Sequence, residues 1–82
     1  MKVPKIIEAK AIKMHVLRVK FDNGDVRDYD ISLLLSREPF SDLKNKVLFK
    51  SVQVELGGHA IVWNDRIDLS EYEVWKNGVE PI

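Results

Sequence analysis

The 82-residue chain, with 45% apolar side chains, makes one small domain spanning residues 1–82 and leaves no room for a second hydrophobic core. Its 13 basic and 13 acidic side chains cancel, which argues against a dedicated phosphate binder, and the absence of cysteine removes disulfides and fits a reducing cytoplasm. No apolar run approaches the ~20 residues of a membrane helix, and Met1-Lys2-Val3-Pro4-Lys5 leads into charges rather than a signal-peptide core, so a soluble, cytoplasmic chain with no membrane partner is expected.

From Ile6 to Ile12 the chain is apolar enough for a strand, but Ile6, Ile7, Ala9, Ala11 and Ile12 select no face. Alternation is strict from His15 to Phe21: His15, Leu17, Val19 and Phe21 form a core face, and Met14, Val16, Arg18 and Lys20 the other. A two-residue Asn23-Gly24 turn would set Val19 against Asp28 and Lys20 against Arg27. A three-residue loop Asp22-Asn23-Gly24, with Gly24 at positive φ in a G1 bulge, instead pairs Leu17 with Tyr29 and Arg18 with Asp28. Polarity and charge then agree, so this register is predicted.

Asp30 is placed to cap a short helix through Leu35 that ends before Pro39, and Ser41 to cap a second turn carrying Leu43, Val47, Leu48 and an anchoring Phe49. Val52, Val54 and Leu56 then alternate with Ser51, Gln53 and Glu55. Gly57-Gly58 reads as a two-residue loop into His59-Ala60-Ile61-Val62-Trp63, setting Val54 against Ile61 and Val52 against Trp63. Ser70-Glu71-Tyr72-Glu73 has the form of a capping box with Leu69 and Val74 as its staple, and Gly78 stops the last helix after Asn77. The fold class is α+β: a small antiparallel sheet of two hairpins plus an N-terminal strand, with short helices packed on one side.

Catalytic chemistry finds little support. His15 and His59 lie near strand ends without the further ligands a metal site needs. Ser41 and Ser70 read as helix caps, no serine sits in a nucleophile elbow, and Gly57-Gly58 lacks the Lys-Ser/Thr of a phosphate loop. No enzyme activity, metal or cofactor is expected. Charge is blocked along the chain, with Lys2, Lys5, Lys10, Lys13, Arg18 and Lys20 followed by Asp22, Asp25, Asp28 and Asp30, which suits neutralisation across strands. Trp63 belongs to the core face. Tyr72 and Trp75, three apart on the last helix, form with Val79 an apolar strip suited to a partner protein.

The order of several motifs resembles the bacterial domain-of-unknown-function family 2442 over roughly Val3 to Val79. The resemblance rests on Ala9, on Leu17-Arg18-Val19 with Phe21-Asp22-Asn23-Gly24, and on Tyr29-Asp30-Ile31 with Leu34-Leu35. It continues through Phe40, Leu43-Lys44 and Leu48-Phe49 with Val52, and ends on Trp63-Asn64, Ile67-Asp68-Leu69 and Asn77-Gly78. The chain departs from the family pattern at Asn64-Asp65-Arg66, where relatives often have Asn-Gly, and at Asn45-Lys46, where they often have Asp-Pro. The resemblance implies a small α+β domain with an antiparallel sheet. It also implies a gene beside that of another small protein, as in toxin–antitoxin pairs; some relatives add a helix-turn-helix domain, which is not expected in this chain.

The expected function is therefore a non-catalytic protein-interaction module, antitoxin-like, that binds a small protein encoded nearby through Tyr72, Trp75 and Val79. An exposed strand edge would serve a homo-oligomer. The alternative is a nucleic-acid-contacting autoregulator using Lys10, Lys13, Arg18, Lys20, Lys44, Lys46 and Lys50. A small His/carboxylate hydrolase or nuclease is the weakest alternative.

Overall fold

The N-terminal segment that selects no face is a strand, β1 (Ile6–Lys13), in a computed structural model that describes residues 3–81. It pairs antiparallel with β2 (Val16–Phe21), from Ile6 opposite Phe21 to Lys13 opposite Val16. The register shifts between Ile6 and Glu8 and again between Ala11 and Lys13. Each shift changes which side chains point inward, so no single alternation runs through the strand. Ile6 is buried, its neighbour Ile7 is exposed, and Ala9 and Ala11 pack against the core.

The first hairpin adopts the predicted register: β3 (Val26–Asp30) sets Tyr29 opposite Leu17 and Asp28 opposite Arg18. Gly24 has φ 93°, its N–H donates to the Phe21 carbonyl at 3.0 Å, and the Phe21 N–H donates to the Asp25 carbonyl at 2.9 Å. These bonds close the three-residue loop.

Three further strands form a second antiparallel sheet, β4 (Gln53–Val54), β5 (Ala60–Asn64) and β6 (Ile67–Ser70), with β5 in the middle. Val54 faces Ile61 as expected. The connecting loop is longer than expected, however: Glu55 N–H donates to the Ala60 carbonyl, and Gly58 N–H turns back to the Glu55 carbonyl at 2.8 Å. Leu56, which alternation puts on the inner face, consequently stands 97% exposed. The sequence pattern does not reveal β6, whose preceding turn carries Arg66 in place of a turn glycine. Here the Asn64 side-chain oxygen accepts from the Arg66 and Ile67 amides at 2.9 and 3.0 Å, which builds the turn without positive φ.

The class is α+β, with the strands divided into two three-stranded sheets rather than gathered in one. Between them the chain makes two 3-10 turns, Ser32–Leu34 and Phe40–Lys44, and helix α1 (Lys46–Lys50); helix α2 (Glu71–Asn77) follows β6. Asp30 does organise the first turn, accepting from the Ser32 amide and hydroxyl. Ser41 caps nothing: it lies inside the second 3-10 turn, and α1 is capped by Asn45, whose Oδ1 accepts from the Val47 and Leu48 amides. Ser70 caps α2 through the Glu73 amide, but the Glu73 carboxylate accepts from the Tyr29 hydroxyl and Asn77 instead of closing the box.

One buried cluster joins both sheets. Leu17, Val19, Phe21 and Tyr29 enter from the first, Ile61, Trp63, Ile67 and Leu69 from the second, and Leu43, Phe49 and Val74 from the helical segments. Trp63 is core, as expected; its ring stacks on Phe49 at 6.5 Å and its Nε1–H donates to the Phe49 carbonyl at 3.0 Å. Phe49 is thereby fixed from below, which matters for the surface above it.

Candidate interaction site

Where β1 ends, Met14 and His15 turn the chain into β2, and α1 packs beside that corner. His15 holds φ 64° and sets its ring edge against Phe49 at 6.0 Å. The space between β1 and α1 is an open cleft of about 380 Å³ lined by Ala11, Ile12, Lys13, Met14, Lys46, Phe49 and Lys50. Asn45 fixes the start of α1, and Lys46 and Lys50, four residues apart, share a helix face. Lys13, Lys46 and Lys50 thus share one space with an apolar lining and no carboxylate, while Lys13 also borders the neighbouring hollow that holds Asp28, Asp30 and Glu80. Such a surface attracts an anionic group and also desolvates whatever apolar side chain accompanies it.

Of the seven basic candidates, the structure brings Lys13, Lys46 and Lys50 together. The others go elsewhere. Arg18 forms a two-point ion pair with Asp28, Nε to Oδ1 at 2.8 Å and a second bond at 3.0 Å. Lys20 stands opposite Glu8 and Lys10 opposite Arg18 on the sheet, and Lys44 ends the second 3-10 turn. The blocked charges of the sequence are therefore partly neutralised across strands. The missed members of the cleft are Ala11, Ile12, Met14 and Phe49, apolar residues with no signature beyond their neighbouring lysines.

The Arg18 hydrogen bonds hold the Asp28 carboxyl below its ordinary value, against a smaller opposing effect of burial. Bonds from the Ser32 hydroxyl and amide depress Asp30 likewise. A carboxylate with a lowered folded pKa contributes stability that is present above its unfolded value of about 4 and is lost as pH falls through the folded value. Asp28→Asn should therefore lower the urea midpoint at pH 7 and flatten its decline below pH 4, leaving the Asp30 contribution. A decline as steep as in the unmodified chain would deny the pair any role.

The expected strip on the last helix is interrupted. Tyr72 and Val79 are 55% and 62% exposed, but Trp75 between them is half-buried, edge-on to Phe21 at 5.1 Å with the Arg27 guanidinium 3.8 Å over its ring. Arg27, from β3, covers the face that a partner would need. Val79 meanwhile exchanges two backbone hydrogen bonds with Asp28, at 2.7 and 2.9 Å, and so extends the first sheet beside β3. Burial and the bond to Glu73 push the Tyr29 phenol above its ordinary value, and that bond ties β3 to α2.

The two histidines occupy separate places: His15 lies on Phe49, whereas His59 is exposed with its Nδ1 3.4 Å from a Glu71 oxygen. Among the described residues, no three or more His, Cys, Asp or Glu side chains are grouped to hold a metal ion. No helix among them is long and apolar enough to cross a membrane.

Fold and cleft together define a small α+β domain of two antiparallel sheets with a lysine-rimmed surface cleft. The family model described as Protein of unknown function (DUF2442) matches residues 6–80, nearly the whole chain, and the chain belongs to that family. No curated protein and no solved structure matches it.

Proposed function

We propose that this chain is a non-catalytic protein-interaction module of the cytoplasm that holds an acidic segment of a partner protein in the cleft between β1 and α1. The observation that supports the reading is the placement of Lys46 and Lys50, with Lys13 at the shared rim, around Ala11, Ile12, Met14 and Phe49. A chain of zero net charge offers little long-range attraction to a polyanion. A local cluster acts within about 10 Å at 0.1 M salt, the range over which one carboxylate-bearing segment is drawn in. The apolar lining favours a polypeptide, which brings side chains to bury, over a bare phosphate track. An antitoxin-like role is one form of such holding.

Lys46 and Lys50 are exposed, so reversing their charge leaves the core intact. The Lys46→Glu/Lys50→Glu variant should bind a Glu- and Val-containing peptide at least tenfold more weakly by fluorescence anisotropy, with thermal unfolding unchanged. If the unmodified chain ignores such peptides and instead retains duplex DNA with a steep salt dependence, the autoregulator alternative replaces this reading.

A further inference from the structure

We infer that Asn23-Gly24 is a site of intramolecular modification, at which the Gly24 backbone nitrogen attacks the Asn23 side-chain amide and leaves an isoaspartyl link that lengthens the first hairpin loop. The nitrogen gives its proton to hydroxide and bonds to Cγ; the Cγ–Nδ2 bond breaks, and Nδ2 leaves as ammonia with a proton from water. Water then opens the cyclic imide at either carbonyl. One opening gives aspartate, the other isoaspartate, whose main chain runs through Cβ and Cγ. Water and hydroxide are the reagents. Attack has two requirements: a following residue with no side chain to crowd the nitrogen, and an Asn carbonyl held beside that nitrogen with its oxygen polarised.

The four asparagines of the chain separate these requirements. Asn45 and Asn64 meet the second, since their Oδ1 atoms accept from the amides of Val47 and Arg66, each at 2.9 Å. They are followed by Lys46 and Asp65, whose side chains crowd the approach. Asn77 meets the first, being followed by Gly78, but it closes α2 with its Nδ2 donating to Glu73 at 2.8 Å. Gly78 is buried and its N–H donates to the Val74 carbonyl at 2.8 Å, so ring closure there would unwind the end of the helix. Asn23 meets both. Its Oδ1 accepts from the Asp25 amide at 3.0 Å, and its Nδ2 donates to the Asp25 carboxylate at 3.3 Å, which orients the amide. An oxygen that reaches the amide two residues on carries its carbonyl carbon past the intervening Gly24 nitrogen. The same Asp25 N–H stabilises the negative charge that develops on Oδ1 during attack. Asn23 and Gly24 are exposed, and a Cβ added at Gly24 would meet nothing within 4 Å, so water has access. The backbone bond that must open is Gly24 N–H to the Phe21 carbonyl, at 3.0 Å. That bond and the one from Phe21 N–H to Asp25 fit a loop of normal length, and an isoaspartyl link adds a main-chain atom between residues 23 and 24.

The test ages the full chain in mildly alkaline buffer, folded and in guanidinium chloride, and follows each asparagine by peptide mapping and mass spectrometry for the amide-to-acid mass change and the isoaspartyl link. In the denatured chain Asn23 and Asn77 should convert alike, because each precedes glycine. In the folded chain Asn23 should convert faster than Asn77 by at least about tenfold, a barrier difference of about 1.4 kcal/mol. Asn45 and Asn64 should stay intact over the same period. A smaller ratio in the folded chain, or conversion of Asn45 or Asn64 as fast as Asn23, overturns the assignment. The isoaspartyl fraction, isolated chromatographically, should unfold at a lower urea midpoint than the Asn23→Asp variant, which carries the same charge on a main chain of normal length. Equal midpoints would show that the hairpin accepts the longer loop and would overturn the inferred effect on it.

Discussion

Trp63→Ala is expected to leave much of the chain unfolded at 25 °C. The side chain is 8% exposed, stacks on Phe49 and donates a buried hydrogen bond to the Phe49 carbonyl. Truncating a buried aromatic to alanine costs about 3–5 kcal/mol. A domain of this length has about 4–12 kcal/mol in total, at roughly 0.05–0.15 kcal/mol per residue. The loss is thus comparable with the whole reserve. Urea denaturation should show the midpoint falling close to zero denaturant, while Trp63→Phe, which keeps most of the ring volume and loses the N–H, should fall between. Phe49 lines the cleft from above the same ring, so the Phe variant should also weaken peptide binding without touching a lysine. A loss under about 1 kcal/mol for the alanine variant would mean that this tryptophan is not the support of the cleft.

The first hairpin was legible because two independent signals, apolar alternation and opposite charge, chose the same register for Leu17, Tyr29, Arg18 and Asp28. Where only one signal is present, reading fails in a physically definable way. β1 carries two register shifts, and each resets the parity on which face assignment depends. β6 is four residues long and is introduced by a turn made from the Asn64 side chain, so neither length nor glycine announces it. Ser41 and Asn45 are both good caps in isolation, and the 3-10 turn that absorbs Ser41 decides between them.

The same limit applies to the surface. All seven basic candidates look alike along the sequence, and they separate only through tertiary pairing: Arg18 to Asp28, Lys20 opposite Glu8, and Lys13 with Lys46 and Lys50 across the cleft. Trp75 was readable as an aromatic on an amphipathic helix. Its cover, Arg27, comes from a distant strand, and no local pattern links the two.

Gly58→Ala is expected to cost more than about 2 kcal/mol, although the sequence suggests no more than a loop glycine. Its φ is 77°, a region where a Cβ adds about 1–2 kcal/mol of strain. The larger obstacle is its neighbour: a Cβ there would lie 2.5 Å from the Ile6 carbonyl oxygen and 3.2 Å from the Ile6 nitrogen. These are backbone atoms, so no side-chain rotation relieves the contact. Moving the loop away would break the bond from Ile6 N–H to the Gly58 carbonyl, where β1 of the first sheet meets the β4–β5 loop of the second. Gly57→Ala supplies the comparison. It also has positive φ, 99°, but its added Cβ meets only the His59 ring, at 3.3 Å, and that exposed side chain can turn aside. The Gly57 variant should lose about 1 kcal/mol, from strain alone. If the two glycines served the turn equally, the losses measured by urea unfolding would match. A Gly58 loss at least twice that of Gly57 locates the constraint at the junction between sheets, and equal losses would remove it from there.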